Sequence, residues 1–444
     1  MIDKILPGVA AIDIGQEALF VAVADAPVQR FGTFTAEIRR LGAYLQEQGV
    51  CRVAMEATGV YWIPLHDHLD QSGFEVTVFH GAHARNLPGR KTDVADCQWH
   101  AMLHSHGLLS PCFIPPPQIR ELRTFYRLRE DHVGLAAMHI QHMQKALDLM
   151  NVRLHNVISQ IQGVSGLRVI EAILAGERDA AKLVELCDRQ ILKHKRDEVI
   201  ASLEGNWEAH HLFALRQALE GYRFYRQQMV ACDHEIEQLL HRLTAEREPQ
   251  EPHEPHEPKT RKTVRHNAPE IKGLHGQLVD LCEGRDATVL PGVSPLSFMK
   301  LIGELGSDLS AWPSEKHFTS WLGLAPGRHE SGKRRRRVAR RKTVAGQIFR
   351  EAALSLTRSK YLALGAFYRR IKGRKGAAVA LTAVARKLAE LYYRAMTKGL
   401  DYAERGVQQY EEAYRQQTVR YVEKMARQLG LAVIANVPTE AAGG

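Results

Sequence analysis

Two short apolar runs, each carrying a carboxylate near its end, constrain the fold of this chain more than any other feature. Val9-Ala-Ala-Ile-Asp-Ile-Gly15 holds Asp13, and Arg52-Val-Ala-Met-Glu-Ala-Thr58 holds Glu56. Runs this short and this apolar read as buried strands. A carboxylate at the end of a buried strand is costly unless a cation or a hydrogen-bond donor meets it. Gly89-Arg-Lys-Thr-Asp-Val-Ala-Asp96 adds Asp93 and Asp96, spaced i and i+3 and so on one helix face. Any one of these acids alone reads as a turn residue. The four together can build an oxygen-rich cage for Mg²⁺ or Mn²⁺, the apparatus of phosphodiester chemistry.

The order of elements agrees. Strands are expected at 9–14, 18–24 and 29–34, with Gly15-Gln-Glu as the first turn and Asp25-Ala-Pro as the second break. A helix at 35–48 places Ile38, Leu41, Tyr44 and Leu45 on one face. Strand 51–56, helix 61–72, strand 75–79 and helix 93–106 follow. Three strands and then alternating helix and strand resemble the RNase H-like order, with the first and fourth strands adjacent. Asp13 and Glu56 would then be neighbours, and the last helix would bring Asp93 and Asp96 over them. Tyr61 and Trp62, just after Glu56, read as packing residues of the next helix, with base stacking the alternative.

At 444 residues the chain has room for two or three domains. A formal charge of +10 and a pI near 9.3 lean toward a polyanionic partner. The six cysteines form no Cys-x-x-Cys pair and read as reduced thiols of a cytoplasmic protein, expected near the nucleoid. No signal peptide is expected at the N-terminus, and no apolar run nears the roughly 18 residues that a membrane span needs.

The first domain, 1–117, ends in Phe113-Ile-Pro-Pro-Pro117. Residues 118–245 lack proline and show apolar spacings such as Leu122, Phe125 and Leu128, or Ile236, Leu239, Leu240 and Leu243. They predict a helical hairpin or coiled-coil connector, a candidate dimerisation arm, with breaks near Gly163–Gly166 and Gly205-Asn206. Its histidines (His132, His139, His142, His155) read as solvated helix positions. Residues 246–269, with His-Glu-Pro repeats, form a semi-rigid linker.

The last part, 270–444, is expected to be mostly helical. Leu290-Pro-Gly-Val-Ser-Pro-Leu-Ser297 reads as a helix-hairpin-helix-like turn, with the next helix starting at Ser294 or Ser297. A Gly/Pro loop then carries Ser331, followed by Lys333, Arg334, Arg335, Arg336 and Arg337, then Arg340, Arg341 and Lys342. Arginines beside a serine hydroxyl suit phosphoryl chemistry, because they stabilise charge on the group being transferred. A bland basic face is the competing reading. Arg90 and Lys91, before Asp93, and the stretch Arg369–Lys375 also suit contact with a phosphate backbone. Closing helices are expected at 377–396 and 401–430.

Taken together, Ala11-Ile-Asp13, Met55-Glu-Ala-Thr-Gly-Val-Tyr-Trp62 and Gly89–Asp96 resemble the DEDD transposases of the IS110/IS1111 insertion-sequence family. Leu290-Pro-Gly-Val293, Trp321-Leu-Gly-Leu-Ala-Pro326 and Ser331-Gly-Lys333 resemble the second domain of that family. The resemblance implies a RuvC-like N-terminal domain with Asp13, Glu56, Asp93 and Asp96 as metal-binding acids. It implies a serine nucleophile matching Ser331 in a C-terminal transposase domain. It also implies donor and target DNA as substrates, a structured noncoding guide RNA, and assembly from dimer to tetramer with the acids of one subunit near the serine of another. The chain departs from the family pattern in three places. A single Gly332 precedes Lys333 where Gly-Gly is frequent, Cys97 follows Asp96 in place of Ala, and His80-Gly81 stands where Asn-Pro is common. A RuvC-like nuclease or junction resolvase that uses water is the alternative.

Overall fold

The computed structural model describes residues 6–23, 26–81, 92–245, 267–326, 329–331, 334–336, 342–399 and 406–432. They fall into two compact units, Met1–Ile114 and Pro115–Gly444.

The first unit is an α/β layer built on a five-stranded sheet, and it fits a RuvC-like domain. Its elements are β1 (Val9–Ile14), β2 (Ala18–Val23), β3 (Gln29–Gly32), α1 (Thr35–Glu47), β4 (Arg52–Glu56), α2 (Trp62–Gln71), β5 (Glu75–Phe79) and α3 (Asp93–Ser105). The strand order is β3-β2-β1-β4-β5. β1–β2 and β2–β3 are antiparallel, whereas β1–β4 and β4–β5 are parallel. The first and fourth strands are therefore neighbours, in the register Ala11↔Ala54 and Ile12↔Met55.

The alternation of a strand sorts these residues onto two faces. Ala10, Ile12, Ile14, Val53 and Met55 join Leu41 and Leu45 of α1 and Leu65 and Leu69 of α2 in the main core. Ala11 and Ala54, on the opposite face, pack with Phe79 and Leu109. Small residues there let α3 lie close to the sheet. The buried Cys97 fixes that contact, its thiol donating to the carbonyls of Ala11 (3.2 Å) and Phe20 (3.0 Å).

The second unit begins with α4 (Pro117–Leu149). The short helices α5 (Leu154–Val157), α6 (Val164–Leu174), α7 (Ala180–Val184) and α8 (Arg189–Ser202) follow, and then α9 (Ala209–Ala245). The contacts Glu121–Arg242, Arg129–Asp233 and His139–Tyr225 set α4 and α9 antiparallel. Buried residues recur at three-four spacing on both: Ile119, Leu122, Tyr126 and Arg129 on α4, and Leu215, Leu219, Tyr222, Met229, Asp233 and Ile236 on α9. Helices α5 to α8 cover the far end of the pair with a core that includes Val169, Ile170, Leu183 and Val199.

The histidines here are not uniformly solvated. His132 and His139 are half-buried against Tyr225, with ring centroids 5.8 and 5.6 Å from its ring. His155 pairs with Asp148 at 3.5 Å, and only His142 is exposed. Gly221 makes room for the His139 ring, since a Cβ at 221 would lie 2.3 Å from its Cε1. Along α4, a partner on α9 decides whether an imidazole is solvated, and helical periodicity does not register that partner.

The rest of the unit comprises α10 (Leu274–Leu281), α11 (Pro295–Leu305), α12 (Glu315–Trp321), the two-stranded β6 (His329–Ser331) and β7 (Arg334–Arg336), α13 (Val344–Leu356), α14 (Ala363–Lys375), α15 (Ala377–Lys398) and α16 (Gly406–Gln428). The turn at Pro291-Gly292 is preceded by one 3₁₀ turn, Ala287–Val289, where a hairpin motif would carry a full helix. Ser294 caps α11 by accepting from the Ser297 N–H. Gly292 has φ of +83°, and a Cβ there would meet the Ala352 carbonyl at 2.8 Å. The turn is thus pressed onto α13.

Helix α11 docks on α4 through Glu304, which is buried. It accepts from the Tyr126 hydroxyl and from Arg127 (2.8 Å), while Arg123 donates to the Gly303 and Glu304 carbonyls. Tyr392 on α15 stacks within a cluster of Phe298, Phe318 and Phe349, which ties α11, α12, α13 and α15 together.

Candidate active site

Asp13 is the penultimate residue of β1, and Glu56 is the last of β4. By strand alternation Asp13 shares the face of Ala11, and Glu56 that of Ala54. This is the face that α3 covers. Asp93 and Asp96 stand in the first turn of α3, whose N-cap Thr92 accepts from the Ala95 N–H at 3.3 Å. Helix N-termini favour acidic side chains, so the two aspartates are well placed for the helix itself.

The four carboxylates are close enough to feel one another. The Asp13 carboxyl is raised from its ordinary 3.8 to about 6, first by burial and then by repulsion from Asp93, Glu56 and Asp96. Among the described residues, no group of three or more His, Cys, Asp or Glu donors is drawn in tightly enough to hold an ion. The donor set nevertheless suits a hard divalent cation. Every donor is a carboxylate oxygen, and the mutual repulsion at Asp13 is what a cation would relieve.

Two supporting residues escape sequence reasoning. Gly81, buried just beyond β5, lies beneath Glu56. Cys97 anchors the residue after Asp96 to β1 and β2. A glycine following a strand was the available signal for the first. The departure from alanine at 97 was the signal for the second. Tyr61 is 48% exposed, while Trp62 is half-buried and sets its ring edge-on to His66 at 5.5 Å. Of the two, Trp62 joins the core and Tyr61 faces solvent.

The second candidate region lies in the other unit. Ser331 is the last residue of β6, and its backbone pairs with Arg334 of β7. Glu330 pairs with Arg335, and His329 with Arg336. The serine and three arginines therefore flank one tight antiparallel reversal. Lys342 is exposed ahead of α13. Arg90, Lys91, Lys333, Arg337, Arg340 and Arg341 lie outside the described residues, as do 246–266 of the proline-rich linker. The basic stretch 369–375 belongs to α14, a helix that its charge pattern did not announce. Among the described residues, no helix is long and apolar enough to cross a membrane.

Residues 10–152 match the family model of the IS110-type DEDD transposases, and residues 287–369 match that of the transposase IS116/IS110/IS902 family. The two matches together span about half of the chain and contain Asp13, Glu56, Asp93, Asp96 and Ser331. No curated protein matches it.

Proposed function

Because the chain belongs to the IS110 family of transposases, enzymes that cut and rejoin DNA, we propose that it works through two sets of groups, a carboxylate cluster and a serine. Asp13, Glu56, Asp93 and Asp96 would hold Mg²⁺, or Mn²⁺ in its place. When bound, the ion supplies Lewis-acid stabilisation of the phosphoryl oxygens. The observation that supports this reading is the meeting of the ends of β1 and β4 with the first turn of α3, where burial and then repulsion from Asp93, Glu56 and Asp96 raise the Asp13 carboxyl.

Ser331 is the nucleophile. Its Oγ forms a bond to the scissile phosphorus as the bond from phosphorus to a deoxyribose oxygen breaks. The serine proton leaves with that departing oxygen. The resulting serine–DNA ester keeps the phosphodiester energy, so rejoining is the same exchange with a new deoxyribose hydroxyl and needs no co-reactant. Arg334, Arg335 and Arg336, with Lys333, Arg337, Arg340, Arg341 and Lys342, would neutralise the phosphates around it. Arg90 and Lys91 would do the same beside the carboxylates. The excess of positive charge also supports an RNA partner, a structured noncoding guide that pairs with donor and target DNA. The long α4–α9 pair supports assembly from dimer to tetramer.

Recombination by cells that carry the element with its flanking noncoding DNA tests the reading. Excised circle junctions and inserted copies are both expected to vanish in Asp13→Ala and in Ser331→Ala. Recombination that persists in Ser331→Ala but not in Asp13→Ala would replace the serine by water and make the protein a RuvC-like nuclease.

A further inference from the structure

From Ala352 to Ala389 the chain holds no acidic residue but nine cations, among them five of the seven residues from Arg369 to Lys375. The C-terminal end of this run borders a cavity. Helices α14 and α15 meet at Gly376, whose φ of +83° reverses the chain between them. Between the helices, closed on one side by the segment after α12, lies a cavity of about 280 Å³. Its lining is divided by chemistry. Leu324, Phe367, Ile371 and Val379 make an apolar floor, and Lys375, Arg386 and Lys387 bring positive charge. Glu390 answers Arg386 (3.1 Å) and Lys387 (3.3 Å), so its single negative charge is shared by two cations and Lys375 adds a third.

An apolar slot edged by cations suits one kind of ligand well, a flat uncharged ring joined to a phosphate. The volume falls just below the roughly 300–1,000 Å³ of ordinary ligand cavities, which leaves room for a single nucleotide but not a duplex. Phe367 already takes part in cation–π contact, with the Arg370 guanidinium 5.4 Å from its ring and 4.0 Å from that of Tyr414. Arginine and aromatic planes in that arrangement are the usual surface for unstacked bases. The position along the chain selects the ligand. Pro326 of the cavity wall is five residues before Ser331, so the polynucleotide nearest the cavity is the strand the serine would attack.

We propose that this cavity between α14 and α15 binds one unpaired nucleotide of the DNA strand being cut, its base on the apolar floor and its phosphate on Lys375 and Arg386. This rests on the serine-transposase reading. A base taken out of the stack holds the strand in register and marks the site as single-stranded when the serine reacts. Removing it from the helix costs a few kcal/mol, least where the duplex is already open.

Photocrosslinking tests the proposal with the full-length protein. The probe is single-stranded DNA carrying 5-iododeoxyuridine, and crosslinked peptides are identified by mass spectrometry. The comparison variant is Thr382→Leu. It fills the cavity without a photoreactive ring and forfeits only a hydrogen bond within the helix, to the Ala378 carbonyl. The peptide containing Phe367 is expected to be labelled in the wild type. Labelling should fall about tenfold in the variant, matching the loss of one base stack, at unchanged melting temperature. Equal labelling in Thr382→Leu, or equal labelling of the wild type by duplex DNA, would overturn it. So would preference for the ribo-oligonucleotide of the same sequence, which would give the cavity to RNA. The serine–DNA ester is scored in the same samples. Its absence from the wild type with the Phe367 crosslink intact sinks the serine reading and leaves the pocket standing. Its presence with no crosslink does the reverse.

Discussion

The carboxylate of Glu56 occupies the space in which a side chain at Gly81 would begin. A Cβ added to Gly81 would stand 1.8 Å from Oε1 of Glu56 and 2.4 Å from its Cδ. The glycine backbone here is not in the left-handed region, so steric room and not dihedral freedom fixes the residue. A residue with no side chain thereby decides where Glu56 points.

Gly81→Ala is expected to displace Glu56 with little effect on folding. Residues that orient a metal ligand typically cost 10- to 100-fold in metal affinity or activity when replaced, so a loss of about that size is expected for recombination. Titration of Mn²⁺ by calorimetry should show the same weakening, while the melting temperature without metal stays within a degree or two of wild type. Full metal affinity in Gly81→Ala would separate Glu56 from the metal site.

The pH dependence of stability should carry the signature of Asp13. Its folded carboxyl titrates near 6, above its ordinary 3.8, because of burial and the neighbouring acids. Between those values the folded protein holds a proton that the unfolded chain has released. Stability from this group is therefore present below about pH 4 and is lost as the pH rises through about 6. Without divalent metal, Asp13→Asn should be more stable than wild type at pH 7.5 and no more stable at pH 4. Adding Mg²⁺ should raise the wild-type melting temperature at pH 7.5 and leave the variant nearly unmoved. Parallel melting curves at both pH values would show that neither burial nor the neighbouring acids raise the Asp13 carboxyl.

Cys97 should be the least reactive thiol that can be assayed in the first unit. Burial pushes it up to about 12, and its S–H is engaged by two carbonyls. Cys51, by contrast, is exposed. Iodoacetamide at pH 8 should alkylate Cys51 in the folded protein and reach Cys97 only after denaturation. Cys97→Ala should cost about 1–2 kcal/mol through the small void and the lost hydrogen bonds. Rapid native labelling at Cys97 would mean that α3, and Asp93 and Asp96 with it, lifts readily from the sheet.

Much of the carboxylate site was legible because its logic is local. Short continuous apolar runs mark β1 and β4, the crossover order makes them neighbours, and a charge at a strand end has few explanations. The expected helix at 93–106 matches α3 to within a residue for the same reason, since Thr92 is a strong cap. The missed features depend on contacts far apart in sequence. His132 and His139 read as solvated because Tyr225, which His139 stacks on and His132 meets at a tilt, sits on another helix. Helix α14 was hidden by its own charge, its burial resting on Leu364, Gly365 and Ala366 at one end only. The turn at Pro291-Gly292 carries the residues of a hairpin motif, but α10 ends at Leu281 and a single 3₁₀ turn capped by Asp286 stands directly before it. Gly81 matters only because Glu56, far back in sequence, reaches over it.

The α4–α9 pair contains one deliberate interruption. Arg129 and Asp233 fall on the three-four rows that are otherwise apolar, and both are almost fully buried. Arg129 donates to Asp233 through Nε (2.5 Å) and Nη2 (3.2 Å). The same pair captures the end of the linker: Arg129 donates to the Asn267 carbonyl (3.2 Å), and Asp233 accepts from the Glu270 N–H (3.0 Å). Breaking such a pair on one side leaves a buried charge unmet, so Arg129→Leu should cost about 3–5 kcal/mol. Replacing both, Arg129→Leu with Asp233→Leu, should recover most of that loss, since apolar residues suit the seam. The double variant should still differ in one respect. With no polar pair to fix the alignment, α4 and α9 can slide, and residues 267–270 lose two anchors. Proteolysis near residue 267 should therefore quicken in the double variant even where its melting temperature matches wild type. Unchanged cleavage there would limit Arg129 and Asp233 to pairing the two helices.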